Sequence, residues 1–281
     1  MTATHIKRVY RHFLIYGLLI VLLALFLFPI YWIINVSLQP NNELFRFPPR
    51  WLPSHLFLGS YKAVLSSADF LIFYKNTFLV ASGSTLLCVV VSILAGYGFS
   101  KFRFPAASLM LVLFLSTQMF PAVTLLIGLY SLYSSLHLLN TYTALILAST
   151  TTALPFCIML MKTFFDHISK ELGEASEIDG TSQLGTLIRI ILPLSTPGIT
   201  AVSIYTFLVA WDDFLFGLTL VSDLNKRTLS PGLSLQFLGE FSYNWSGAAA
   251  AAVIATLPLL VVFLFLQRFM VAGLSAGGVK E

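Results

Sequence analysis

The sequence predicts an all-α, polytopic membrane protein with six transmembrane helices and a helix-turn-helix in the cytoplasmic loop between the fourth and fifth. Three observations lead there. The 281 residues are 57% hydrophobic and only 10% charged, against roughly 45–50% apolar and 25% charged in soluble globular domains. Twelve acids and 16 Lys/Arg are too few to cover the exposed surface of a soluble protein, and the mean hydropathy is +0.87, so an ordinary cytosolic enzyme is excluded. The apolar residues also gather into six continuous runs, each near the roughly 20 residues that a helix needs to cross about 30 Å of hydrocarbon. Continuous runs, rather than alternating segments of about 10, require helices and not a barrel.

The first run, 13–36, follows Lys7, Arg8 and Arg11. A secretory leader has an apolar stretch of about 7–15 residues ending at a small-residue cleavage site. This run instead continues through Phe28-Pro29-Ile30-Tyr31-Trp32 to Asn35, so it is expected to be span one. The segment 37–75 is polar and aromatic, with Pro40, Pro48, Pro49 and Pro53, and is expected to be an external loop whose longest helix lies around Tyr61 to Leu65. Further spans are expected at about 76–100, 106–127, 143–161, 196–220 and 247–267, in a single membrane domain over 1–281. Pro29, Pro121, Pro155 and Pro258 fall within these spans as candidate kinks.

Orientation follows from the basic residues. With the amino terminus inside, Lys7, Arg8, Arg11, Lys101, Arg103, Lys162, Lys170, Arg189, Arg268 and Lys280 lie on the inner side, and Arg46, Arg50, Lys62, Lys75, Lys226 and Arg227 on the outer. Both termini are therefore expected in the cytoplasm, the rest of the chain having the lipid bilayer as its partner. A net charge of +4 with scattered cations gives no case for nucleic acid. Cys88 and Cys157 lie in apolar runs and behave as small hydrophobes. There is no internal repeat, and Ala248 to Ala252 read as small residues for close helix packing.

The loop 162–195 departs from this pattern. It carries five of the 12 acids: Asp166, Glu171, Glu174, Glu177 and Asp179. Ser169 is placed to cap a helix whose Leu172, Ala175 and Ile178 share one face, and Gly180 stands where that helix would end. A second helix begins at Thr181 or Ser182 and sets Leu184, Leu187, Ile188 and Ile191 on one side before Pro193 interrupts it. A hairpin resting on lipid headgroups would be rich in Lys and Arg. An acidic first helix suits a basic protein partner better.

Here the residues carry a resemblance. Glu174-Ala175-Ser176, three residues, Gly180, nine residues and Ile190-Ile191-Leu192-Pro193 resemble the E-A-A-x3-G-x9-I-x-L-P loop of ATP-binding cassette (ABC) importer permeases, with Ser176 for the second Ala the one departure. Ala95-Gly96-Tyr97-Gly98-Phe99-Ser100-Lys101-Phe102-Arg103-Phe104-Pro105 is similar to the AYAFARFRFPG segment of the carbohydrate-uptake permeases. Trp211-Asp212-Asp213-Phe214 is similar to their WNEF, and the tail from Gln267 to Lys280 to their QRYFVKGLTAGAVKG. These segments extend over most of the chain and resemble the MalG-type subunit.

The resemblance implies a permease subunit of a binding-protein-dependent importer for a sugar, oligosaccharide or related solute, in a bacterial or archaeal inner membrane. It implies three kinds of partner: a companion MalF-like permease, an ABC ATPase dimer holding ATP and Mg, and an extracytoplasmic solute-binding protein. It assigns Glu174, Ala175, Ser176, Asp179, Gly180, Ile190, Leu192 and Pro193 to ATPase coupling. The sequence adds independently that no G-x4-G-K-[ST] phosphate loop is present, so no catalytic residue and no cofactor is expected in this chain.

Trp211, Asp212 and Asp213 are candidates for the translocation path, because these acids are the only ones in an expected span and charge at membrane depth is costly. Two readings stay open: the pair lines the path, or it reaches hydrated headgroups near the outer end of span five. Tyr97, Phe120, Tyr130, Tyr205 and Trp211 have the chemistry to stack on sugars, but with 25 Phe in the chain aromatic packing is the commoner use. An ion-coupled secondary transporter is the alternative. It would call for mid-membrane ionisable residues and repeated halves, of which the Asp pair alone is present.

Overall fold

The computed structural model describes residues 3–178, 180–239 and 242–276. Helices dominate, and the apolar runs explain the long ones. They are α1 (Ala3–Ser37), α3 (Ala68–Lys101), α6 (Tyr142–Asp166) and α13 (Trp245–Ala276). Between α1 and α3 lies α2 (Gly59–Leu65), where the sequence places its one short external helix. α3 starts at Ala68, inside the segment expected to be loop. Among the described residues, four helices are long and apolar enough to cross a membrane alone, and up to six spans result if each of two bent pairs counts as one.

The bent pairs differ from straight spans for identifiable reasons. The run 106–127 falls on α4 (Ala107–Thr117) and α5 (Ala122–Ser135), which meet at 100°. Pro121 immediately precedes α5, with extended-type backbone (φ −56°, ψ 138°). Its ring disfavours helix in the residue before it and removes an N–H, so the helix ends there. Pro29, Pro155 and Pro258 instead lie inside α1, α6 and α13. Pro155 offers no N–H to Thr151 O one turn earlier, and the adjacent Thr152 O accepts from Gln118 Nε2 at 2.8 Å. The second pair joins the 183–194 helical segment to α10 (Thr196–Asp212) at 79°.

The chain packs as two units. The first comprises 1–67 and 233–256. In it Asn41 Nδ2 donates to Tyr243 O at 3.0 Å and Asn41 Oδ1 accepts from Trp245 N at 2.9 Å. Ser60 and Ser246 share a hydrogen bond of 2.6 Å. Leu238–Gly239 and Ser242–Tyr243 pair as a two-residue antiparallel ladder.

The second unit comprises 68–232 and 257–281. Its centre is α3, α6 and α10, packed on one another around Cys88, Ala153, Cys157, Met161, Phe165 and Val202. Without a hydrophobic force between helices in lipid, small residues that allow close approach hold such a bundle together. Gly96 is the tightest case: a Cβ there would lie 2.8 Å from Met161 Cβ and 3.0 Å from the Lys162 amide nitrogen. A second cluster around Val80, Tyr133, Leu145, Phe216 and Leu220 includes α11 (Leu215–Leu220). At that end Asn140 Oδ1 accepts from Ser222 N at 2.7 Å and Asp223 N at 3.1 Å. Asn76 Nδ2 donates to Asn225 O and Arg227 O, both at 2.9 Å. One residue along α3, Thr77 Oγ1 accepts at 2.7 Å from Leu229 N, the first amide of α12 (Leu229–Phe237).

Candidate functional site: the coupling loop and the break in span five

The loop 162–195 folds as two short helices joined at a glycine. α7 (Lys170–Ile178) is capped by Ser169, whose Oγ accepts from Glu171 N at 3.2 Å. Beyond its end stands Gly180, where φ is +80°. A side chain would be strained in this left-handed conformation, which reverses the chain so that Thr181 N donates to Ser176 O at 3.0 Å. Ser182 then caps α8 (Gln183–Thr186), accepting from Gly185 N at 3.2 Å. Asp179 lies outside the described residues.

Ser176 tightens this hairpin in a way its size alone does not suggest. The side chain is buried, and its Oγ lies 2.6 Å from Thr186 Oγ1, bridging α7 to α8. Beyond α8 the helix widens to a π-helical turn, Leu187–Ile191, and continues as α9 (Leu192–Leu194). The expected interruption at Pro193 does not occur, and the helix passes through it. The widened turn precedes the proline, with Leu192 N donating to Leu187 O, so the shift in register occurs where a regular helix would be broken. The chain turns instead at Ser195, whose Oγ donates to Ile191 O at 2.7 Å.

The four apolar residues expected on one side of this helix divide. Leu187 and Ile191 are buried against Cys88, Met161, Phe165 and Val202, whereas Leu184 and Ile188 are exposed. The two i, i+4 pairs form adjacent stripes, and only one of them meets the bundle. Leu172 is also exposed, and Ile178 is 86% exposed at the hairpin tip. Glu174, Ala175 and Pro193 are exposed as well, with Ile190 and Leu192 half-buried.

The hairpin's root is fixed to α3 and α6 by polar contacts. Lys101 Nζ donates to Phe165 O and Ile168 O, both at 2.9 Å, placing a cation at the carbonyl end of α6. Asp166 accepts from Ser100 Oγ at 2.7 Å and pairs with Lys162 Nζ at 2.6 Å. Sequence reasoning misses this clasp. A basic residue in the last turn of a helix is its available signal, but its acceptors lie on another helix.

Trp211, Asp212 and Asp213 end α10 and begin the break before α11. Trp211 is buried, stacked on Phe207 with centroids 5.4 Å apart and edge-on to Tyr74 at 5.7 Å. Asp213 is half-buried, accepting from Gly217 N at 2.8 Å and Phe216 N at 3.3 Å, and thus caps α11. Asp212 is exposed. Of the other aromatics, Tyr205 packs on Phe156 with centroids 4.5 Å apart, and Tyr97 lies edge-on to Phe165 at 5.9 Å. Phe120 and Tyr130 are exposed.

Helices of membrane-crossing length, breaks between α4 and α5 and between α10 and α11, and a helical hairpin rooted in the central bundle define a polytopic transport permease. Comparison with known proteins agrees. Residues 88–275 match the family of binding-protein-dependent transport system inner membrane components. The chain is 37% identical over 260 residues to the sulfoquinovosyl glycerol transport system permease SmoH of Agrobacterium fabrum, covering 92% of this chain and 91% of that one. It is 34% identical over 261 residues to the trehalose/maltose permease MalG of Thermococcus litoralis, covering 90% and 91%. Its fold matches a chain of a bacterial ABC transporter involved in alginate import, with TM-score 0.81 and 20% identity over 95% of this chain and 98% of that one. The chain belongs to the binding-protein-dependent transport system inner membrane component family, as a multi-pass protein of the inner membrane.

Proposed function

We propose that this chain is the MalG-type half of an ATP-driven importer for a sugar, oligosaccharide or glycoside. The observation that carries the proposal is the hairpin 162–195. Its helix ends, its left-handed Gly180 and its exposed Ile178, Leu184 and Ile188 form an apolar knob, rooted by Leu187 and Ile191 in the α3–α6–α10 bundle. A knob of that kind seated in a groove of an ATPase moves the bundle when the groove moves. The relatives support the solute class, two of them being permeases for sulfoquinovosyl glycerol and for trehalose/maltose.

In this reading ATP and Mg are held by a dimeric ATPase. A MalF-like companion completes the pore, and a solute-binding protein delivers cargo to the outer side. Both termini face the cytoplasm, as the distribution of Lys and Arg favours. Glu174, Ala175, Ser176, Asp179, Gly180, Ile190, Leu192 and Pro193 form the contact and its support. At the break in span five, Asp212 is the acid left to face the path, since Trp211 and Asp213 are engaged within the chain.

The test is co-purification with the ATPase from membranes, with solute-stimulated ATP hydrolysis as readout. Gly180→Val is expected to leave the spans assembled but to abolish stimulation, because it strains the turn that presents the knob. Uptake by this chain and its companion alone, driven by an ion gradient without ATPase, would overturn the proposal.

A further inference from the structure

The segment after α1 does not run away from the membrane. It leaves the helix at Ser37, makes a short 3-10 turn at Asn41–Glu43, and returns alongside the same helix. Asn35 Nδ2 donates to Arg50 O at 3.0 Å, and Tyr31 Oη donates to Trp51 O. The Trp51 ring lies edge-on to Trp32 with centroids 5.8 Å apart, and 6.2 Å from Phe28. Phe28 is nine residues before Ser37, about 14 Å back along the helix axis.

Depth gives this return its meaning. The apolar part of α1, His12–Ser37, is 26 residues long, about 39 Å at 1.5 Å per residue, against roughly 30 Å of hydrocarbon. Its far end therefore emerges beyond the acyl chains. Phe28, Tyr31 and Trp32 fall near the boundary where aromatic rings collect, and Trp51 is held at their level. None of the most apolar window of α1 is buried within this chain, and the returning segment continues that apolar surface. That segment is apolar outward: Phe45, Trp51, Leu52, Leu56 and Leu58 are each at least 61% exposed, and Phe47 is 96% exposed. Its charges are partly neutralised within it, Arg50 Nη1 lying 2.7 Å from Glu43 Oε2 and 2.7 Å from Ser54 Oγ.

We propose that residues 44–58 are an interfacial anchor, seated in the headgroups and upper acyl region of the leaflet opposite the amino terminus, rather than an aqueous loop. A cavity of about 460 Å³ beside it, lined by Trp32, Val36, Phe45, Trp245, Ala248 and Ala252, takes an acyl chain of the same leaflet. The exposed rings supply apolar area, and Arg46 extends its charge to the phosphates.

The test places a nitroxide on Leu52→Cys and on Phe47→Cys, with Cys88→Ala and Cys157→Ala, in the full importer reconstituted into vesicles of phosphatidylethanolamine and phosphatidylglycerol. Collision rates are measured with oxygen, which partitions into lipid, and with a water-soluble nickel chelate. Both sites are expected to show oxygen dominating, as at Ile20→Cys in span one. Dominant nickel collisions would make the segment an aqueous loop, and low rates for both would mean that a protein partner covers it; either result overturns the proposal. Brominated lipids offer a label-free check. Trp51→Phe is expected to remove a quenchable part of the emission, and an unchanged quenching profile would count against the anchor.

Discussion

Gly96→Ala separates close helix packing from helix propensity. The added Cβ would sit 2.8 Å from Met161 Cβ and 3.0 Å from the Lys162 amide nitrogen, where carbon contacts prefer about 3.5–4.0 Å. Neither neighbour is the end of a flexible side chain, so no rotamer change relieves the overlap, and α3 and α6 must part by a sizeable fraction of an ångström. Overpacking of this kind costs about 1–3 kcal/mol. Alanine in place of glycine in a helix returns roughly 0.5–1 kcal/mol. At Gly98, two residues on in the same helix, an added Cβ would meet nothing within 4 Å, so Gly98→Ala collects the propensity gain alone. The two variants should therefore differ by about 1–3 kcal/mol, roughly five-fold to more than a hundred-fold in the unfolding equilibrium. Cys88 and Cys157 are fully enclosed on α3 and α6, so a thiol-reactive dye reports opening of this helix pair during thermal unfolding of the detergent-solubilised protein. Equal melting of the two variants would refute the argument that close approach at Gly96 holds the bundle.

Lys101→Met removes two charge-assisted hydrogen bonds to the carbonyl end of α6; it should lower stability by about 1.5–3 kcal/mol in the same melt and weaken solute-stimulated ATP hydrolysis. Asp213→Ala uncaps α11 and should cost about 0.5–2 kcal/mol, with Asp213→Asn nearly neutral. Asp212→Asn should leave the melt unchanged and alter uptake, and normal uptake would remove Asp212 from the path. Ser176→Ala deletes the hydroxyl bridge to Thr186 and should cost about 1 kcal/mol, read as faster proteolysis of the 170–194 hairpin.

What is legible in the sequence follows from how local each rule is. The start of α7 at Ser169, the turn beyond its end at Gly180 and the start of α8 at Ser182 each depend on one residue and its neighbours. The spans depend on the composition of about 20 residues, so the apolar runs can be found but not their bends. Within 106–127 the polar dip at Ser116-Thr117-Gln118 is too short to end an apolar run, so composition over a span's length does not separate α4 from α5. Of Pro29, Pro121, Pro155 and Pro258, only Pro121 stands at a break between helices. Pro155 stays inside α6, where Thr151 and Thr152 donate to carbonyls of their own helix and Gln118 supplies a donor from α4's end. Whether a membrane proline bends or breaks a helix is decided by donors that arrive from other elements, and that information is tertiary. The same holds for Leu184 and Leu187, neighbours on a helical wheel that end up on opposite sides of the boundary between solvent and bundle.

The adjacent acids carry this reasoning furthest. As letters, Asp212 and Asp213 are interchangeable, and membrane depth gives both the same functional reading. The break after α10 separates them. Asp213 turns onto the amides of Phe216 and Gly217, so its charge is held by the start of α11, while Asp212 stays exposed at the end of α10. An acid three residues ahead of a helical amide is a capping signal readable from sequence, but only once α11 is known to be a separate helix. Treated as the middle of one continuous span, Asp213 has no amide to cap and looks like a charge in need of a functional partner. An acid within an apolar run of a transporter therefore requires its backbone environment to be established first. Here that environment assigns the structural role to one carboxylate and leaves the candidate path role to its neighbour.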